Sequence, residues 1–305
     1  MSEDLPAAPR TGTAVAAERP RDRELAAAIS YVTAGSPLQG LKRVTAGESE
    51  LLLVEGSADA KQFDEIQGIL SEYASRDSKA RPLSLAVFGP PGSGKSRWVR
   101  TMIGSAEGFE LEEINLAQLQ YTTSLGAEIG ARIEVQRVPA REKGPRLAEA
   151  GSVSSLKPKI KAFFFDEFDS PLKDEPLGWL RWFLGLMQDG KFSNGGKTCD
   201  IGKVVLLFAG GTAVSLRDFE ERAQLDPVAY KNKKVPDFIS RLRGFVNIQG
   251  INDGPDRVKR RAVILRDLLR FNKTFEGKTI SEDLAESLLD NVHFIHGGSL
   301  DGSAA

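Results

Sequence analysis

The stretch LSLAVFGPPGSGKSRWVRTMI, residues 83–103, constrains the fold of this chain more than any other. A largely apolar, strand-forming run enters a loop of the form G-x-x-x-x-G-K-S, and a helical pattern starts at its lysine. Gly89, Gly92 and Gly94 let the backbone curl so that its N–H groups point inward, and the helix that follows adds the positive end of its dipole. Such a concavity suits phosphate. Lys95 is placed to reach β- and γ-phosphates and Ser96 to offer its hydroxyl to Mg²⁺, while Pro90, Pro91, Ser93 and Arg97 complete the expected ATP-contacting run. A glycine-rich turn with a solvated lysine is the competing reading; strand, loop and helix in the required order weigh against it.

A second segment, KAFFFDEFDSP at 161–171, joins three phenylalanines to a run of acids. Ligands of open α/β sheets bind beyond the carboxyl ends of the strands, so Phe163–Phe165 read as a buried strand and the acids as its exit. Asp166 is expected to hold Mg²⁺ and Glu167 to orient and deprotonate an attacking water. Asp169, just before Ser170 and Pro171, is expected to cap the helix that follows. Taken alone, the same acids also suit a charged strand-to-helix turn without chemistry.

Strand and helix patterns alternate between these segments and beyond: a helix over 58–77, strands at 110–116, 203–209 and 244–248, and helices near 124–135, 177–187 and 215–223. Alternation with apolar strands predicts a three-layer α/β/α domain around a parallel sheet. Earlier, ELAAAISYV suggests a short helix and LLLVEG a short strand. Two amphipathic helices at 257–272 and 281–295 suggest a small C-terminal helical lid. The expected layout is a disordered tail over 1–22, an extension over 23–57, the core over 58–250 and the lid over 251–305, with 139–158 a polar surface loop. The closing SLDGSAA suggests that the lid is incomplete.

Lys and Arg number 41 against 42 Asp and Glu, so no global basic field recruits nucleic acid. The patches KNKKVPDFISRLRG and RVKRR leave nucleic acid possible but not indicated. With a single cysteine, Cys199, no internal disulfide forms, and no apolar run of membrane-spanning length is present. A cytoplasmic location without membrane contact is expected. His293 and His296 have no further zinc ligand near them in sequence, so metal binding is not expected there.

With GPPGSGKS and FFFDEFD in view, residues 58–300 resemble the AAA+ P-loop ATPases. The Asp-Glu pair matches their second nucleotide motif better than that of small GTPases or kinases. Asn232-Lys233-Lys234-Val235 lacks the aspartate of a guanine-reading motif. The run from FDEFD to LLFAGGT is similar to the part of Clp-type unfoldases where a helix is followed by a hairpin, here at Gln188–Phe192, and the sensor strand. The resemblance implies a sensor after that strand. The usual Asn is missing, and Thr212 is the candidate, against a simple small-residue turn. It implies an arginine finger in VPDFISRLRGFVNI, Arg241 first and Arg243 next, supplied by a neighbour in a ring or helical oligomer; a surface arginine at a helix end is the alternative. A second sensing arginine and the unfoldase pore loop are not found in the sequence; Tyr121 lies where that loop would begin but is expected to pack near a strand end.

The leading expectation is an Mg²⁺-dependent ATPase that remodels a macromolecular partner, a protein in preference to nucleic acid. The alternative is a slow, ATP-controlled switch or scaffold, for example in prokaryotic defence, favoured by the altered sensor Gly211-Thr212 and the absent second arginine. A metabolic kinase using the same loop requires neither Glu167 nor an arginine in trans.

Overall fold

The computed structural model describes residues 20–47, 49–77, 80–137, 158–225, 227–271, 274 and 278–291. Residues 139–157 of the polar segment, His293 and His296 lie outside these. In chain order the first half contains α1 (Pro20–Thr33), β1 (Leu41–Ala46), β2 (Ser49–Val54), α2 (Ala58–Ser75), β3 (Leu83–Phe88), α3 (Lys95–Ser105), β4 (Phe109–Asn115) and α4 (Thr122–Arg137). The second half contains β5 (Ile160–Asp166), α5 (Trp179–Asp189), β6 (Lys191–Asn194), β7 (Lys197–Asp200), β8 (Val205–Ala209), α6 (Leu216–Gln224), α7 (Pro227–Asn232), α8 (Val235–Ile239), β9 (Gly244–Asn247), α9 (Arg257–Phe271) and α10 (Glu282–Glu286).

Two compact units emerge. The larger comprises Gln39–Arg260 and is organised by a five-stranded sheet in the order β4-β5-β8-β3-β9, every neighbouring pair parallel. Parallel strands need both faces covered, and the sequence supplies that cover. Along β5 the pleat sends Phe163 and Phe165 into one apolar cluster, with Phe183 and Trp179, and Phe164 into the other, with Leu85, Val87 and Trp98. All three phenylalanines are fully buried, at roughly 1.5–3 kcal/mol of transfer free energy apiece. Phe165 stacks on Phe208 at 5.4 Å and Phe168, just past the strand, stacks on Phe238 at 5.3 Å, so the acids between them leave a stiff aromatic core.

Local signals explain the ends of several elements. Ser57 caps α2 by accepting from Ala60 N–H at 3.2 Å, and Ser215 caps α6 by accepting from Asp218 N–H at 3.0 Å. Helix α5 ends at Gly190, whose φ of 66° turns the chain into the β6–β7 hairpin, close to the one expected after Gln188. LLLVEG forms most of β2, but its partner β1 was not legible. The antiparallel β1–β2 hairpin packs Val44 and Leu51 against the cluster that holds Trp98.

The smaller unit joins residues up to Leu38 with Arg261–Val292. Helix α1 opens at Pro20, within the stretch expected to be tail, because proline's fixed φ suits a first helical turn. It packs with α10, and Arg266 donates from the last part of α9 to Val32 O at 2.9 Å. Arg261, 3% exposed, donates to Leu289 O at 2.8 Å. Helix α9 follows the expected 257–272, and in the described part of the second expected helix α10 runs into a π-helical turn at Ser287–Asn291. No helix among the described residues is long and apolar enough to cross a membrane.

Candidate active site

Register brings the two sequence motifs together. Val87 of β3 and Asp166 of β5 both pair with Ala209 of β8, so the glycine-rich loop, the acids and Gly210–Thr212 leave one edge of the sheet side by side.

The loop has little spare room at its base. A Cβ on Gly89 would lie 2.7 Å from Ser93 Oγ and 2.9 Å from Ile248 O, so the chain doubles back on itself there. Gly92 and Gly94 take φ values of 75° and 85°, and Gly94 opens α3 without a side-chain cap, leaving the first N–H groups of that helix to a ligand. Ser93 Oγ is buried without a hydrogen-bond partner among the described residues. The Lys95 ammonium folds back to donate to Gly89 O at 2.8 Å and Pro90 O at 3.2 Å. Burial pushes Lys95 below its ordinary range, with Glu167, Asp166 and Asp169 acting against that shift. Arg97 turns away from the loop and donates to Glu50 O of β2 at 2.8 Å.

Ser96 donates to Asp166 Oδ2 at 3.2 Å. A hydroxyl and a carboxylate side by side, both hard oxygen donors, beside a glycine-rich loop that opens a helix and a buried Ser93 hydroxyl without a partner among the described residues, fit a magnesium-bound polyphosphate. Glu167 sits next to them with its backbone at φ 56°, in the left-handed region. Its N–H donates to Asp166 Oδ1 at 3.2 Å and its C=O accepts from Ser170 N–H at 2.9 Å. Burial first, then the charges of Asp169 and Asp166, hold the Glu167 carboxyl above the usual carboxylate range, with Lys95 acting the other way. A raised carboxyl beside an ammonium is a group suited to taking a proton.

Asp169 does not cap a helix, because α5 begins only at Trp179. Its carboxylate, in a residue 5% exposed, accepts from Gly211 N–H at 3.0 Å, Thr212 N–H at 2.8 Å and the Thr212 hydroxyl. Burying that charge requires those donors, and they come from the loop after β8. Thr212, the expected sensor, is therefore engaged by Asp169. Nor is Tyr121 packed: it is 53% exposed in the turn before α4, with the Lys173 ammonium over its ring at 5.6 Å.

Both candidate finger arginines stand at the far end of the sheet. Arg243 N–H donates to Ser84 O at the start of β3, which places it roughly 16 Å along the strand from the loop. Arg241 donates to Gln188 Oε1 at 2.7 Å and to Asp237 O at 2.5 Å. Sequence reasoning also missed the segment after β9: Arg260 holds it through Gly250 O at 2.9 Å and Gln249 Oε1 at 2.6 Å, and a Cβ on Gly250 would come within 3.1 Å of Pro90.

The result is an α/β fold, a five-stranded parallel sheet between two apolar clusters, with the glycine-rich strand–loop–helix segment on β3 and the Asp-Glu pair at the end of β5, two strands away. Among solved structures the chain is similar to NtrX from Brucella abortus in complex with ADP, at 14% identity and a TM-score of 0.44 over 78% of this chain and 46% of that one. It is also similar to Hsp104 of S. cerevisiae in its ADP complex, at 17% identity and a TM-score of 0.40 over 70% of this chain and 36% of that one. The chain thus spans under half the length of either. No protein-family profile and no curated protein sequence matches it.

Proposed function

We propose that this chain is an Mg²⁺-dependent ATPase that works as a ring or helical oligomer and remodels a macromolecular partner, a protein in preference to nucleic acid. The observation that carries the reading is the bond from Ser96 to Asp166, two oxygen ligands 70 residues apart in sequence that meet beside a phosphate-shaped loop. Ser96 and Asp166 would hold Mg²⁺, which would supply positive charge to offset that of the phosphates. The backbone N–H groups of Gly92, Gly94, Lys95 and Ser96 bind the phosphates, and Lys95 exchanges Gly89 O and Pro90 O for them. Glu167 takes the proton of the attacking water. Arg241 and Arg243 are anchored too far along the sheet to serve their own site, so either acts on a neighbouring copy. The test is phosphate release by Glu167→Gln: hydrolysis should vanish while ATP binding persists, and an unchanged rate removes Glu167 as the base.

A slow ATP-controlled switch or scaffold, as in a prokaryotic defence or regulatory assembly, is favoured by one pair of observations. The Thr212 hydroxyl is committed to Asp169, and Arg241 to Gln188 and Asp237 of its own chain. A hydroxyl has one proton, so Thr212 donates to a phosphate only after leaving Asp169. Turnover well below about 1 s⁻¹ in the assembled, partner-bound state supports the switch; ordinary enzyme turnover supports the remodelling ATPase.

A further inference from the structure

Among the described residues, no hydrogen bond reaches the Glu167 carboxylate, although its backbone is pinned on both sides. What lies against it is Gly211: a Cβ there would fall 2.6 Å from Oε2 and 3.1 Å from Oε1, so the carboxylate rests on the bare Cα of that glycine. Gly211 in turn is tied by its N–H to Asp169 Oδ1 at 3.0 Å, and Thr212 to Oδ2 by both N–H and hydroxyl. Gly210 is just as close on the other side, where a Cβ would meet Asp169 Oδ2 at 2.7 Å. The two glycines form a floor under both acids, and the buried Asp169 is what fastens that floor to the strand carrying Glu167.

We propose that Asp169 is a positioning residue for hydrolysis: it holds the Gly211–Thr212 backbone in place, and that backbone sets where the Glu167 carboxylate stands. The inference rests on Glu167 being the base. Asp169 touches neither nucleotide nor water in this role. Its two oxygens serve donors from one loop, and an amide in its place keeps a single acceptor oxygen, which cannot satisfy both the Gly211 N–H and the Thr212 pair.

The experiment uses the full chain with ATP and Mg²⁺, comparing kcat, KM and equilibrium ATP binding for wild type, Asp169→Asn, Gly210→Ala and Glu167→Gln. Asp169→Asn should lower kcat by about 10- to 100-fold, the effect of moving a catalytic group by up to ~1 Å, with ATP binding held within about threefold. A kcat within about threefold of wild type overturns the inference, and so does a parallel loss of kcat and ATP binding, which marks a structural role. Where Asp169→Asn does not fold, Gly210→Ala makes the same test, since its Cβ would press on Asp169 Oδ2 at 2.7 Å, and on Phe168 Cε1 at 2.9 Å, without removing the carboxylate; an unchanged kcat there is equally fatal. Glu167→Gln separates the two readings. If that variant still hydrolyses ATP, the base assignment fails; if it is inactive while Asp169→Asn runs at full rate, only the positioning role fails.

Discussion

Adding one methyl group to Gly211 isolates the placement of Glu167 from its chemistry. The backbone at Gly211 is not in the left-handed region, so alanine is tolerated there, but its Cβ would stand 2.6 Å from Glu167 Oε2 and 3.2 Å from Cδ. To regain ordinary contact near 3.4 Å the carboxylate must retreat by about 0.8 Å. The group that moves is the end of a flexible side chain, so the fold is little disturbed. A misplacement of ~1 Å at a reacting group is worth about 10²-fold in rate, so Gly211→Ala should lose between about 10- and 100-fold in kcat, or roughly 1.4–2.7 kcal/mol of barrier. ATP affinity should be unchanged, because the Gly89–Ser96 loop and the Ser96–Asp166 bond are untouched. Phosphate release under saturating ATP gives kcat, and titration with a fluorescent ATP analogue gives affinity. Turnover of Gly211→Ala equal to wild type would refute the claim that Glu167 works from its position over Gly211.

Two further outcomes follow from the same geometry. Because burial, Asp169 and Asp166 raise Glu167 above its ordinary 4.5, the folded protein binds this proton more tightly than the unfolded chain, and its stability falls as pH rises through the interval above 4.5. Glu167→Gln should therefore raise the Tm of the nucleotide-free protein at neutral pH, and the gain should disappear in acid below that interval; a Tm gain independent of pH would contradict the electrostatic cause. If an arginine acts in trans, the double variant Arg241→Ala with Arg243→Ala and the variant Glu167→Gln should each be inactive alone, yet a mixture should recover part of the wild-type rate. No recovery from a mixture that co-assembles by mass measurement would count against the trans arginine.

That the glycine-rich loop and the Asp-Glu pair leave the same edge of the sheet was legible because each follows an apolar strand pattern of a parallel sheet. FFF was legible as a strand because a parallel sheet buries both faces, and Phe163, Phe164 and Phe165 divide between two clusters as the pleat requires. Asp169 was misread for an equally physical reason. An aspartate before Ser-Pro has a local use as a cap, whereas its actual donors lie 42 and 43 residues downstream, and no local pattern announces a partner at that distance. The pairing of α1 with the C-terminal helices and the bond from Arg241 to Gln188 were hidden for the same reason. Strand β1, LKRVTA, was hidden because none of its residues is fully buried and its apolar period is weak.

The conformation of Glu167 joins these levels. A non-glycine residue at φ 56° costs of order 1–3 kcal/mol and persists only where its surroundings over-determine it. Here they do: Phe165 and Phe168 are wholly buried on either side, Asp166 accepts from its N–H, and Ser170 donates to its C=O. The aromatic run that makes the strand unmistakable in sequence thus has a second consequence. By locking the residues that flank the bend, it forces the chain to turn sharply at Glu167 and present the carboxylate over Gly211, beside Asp166 and within the field of Lys95. An ordinary extended backbone at that position would continue the alternation of the strand, and the pair of acids would then point to opposite faces of the sheet.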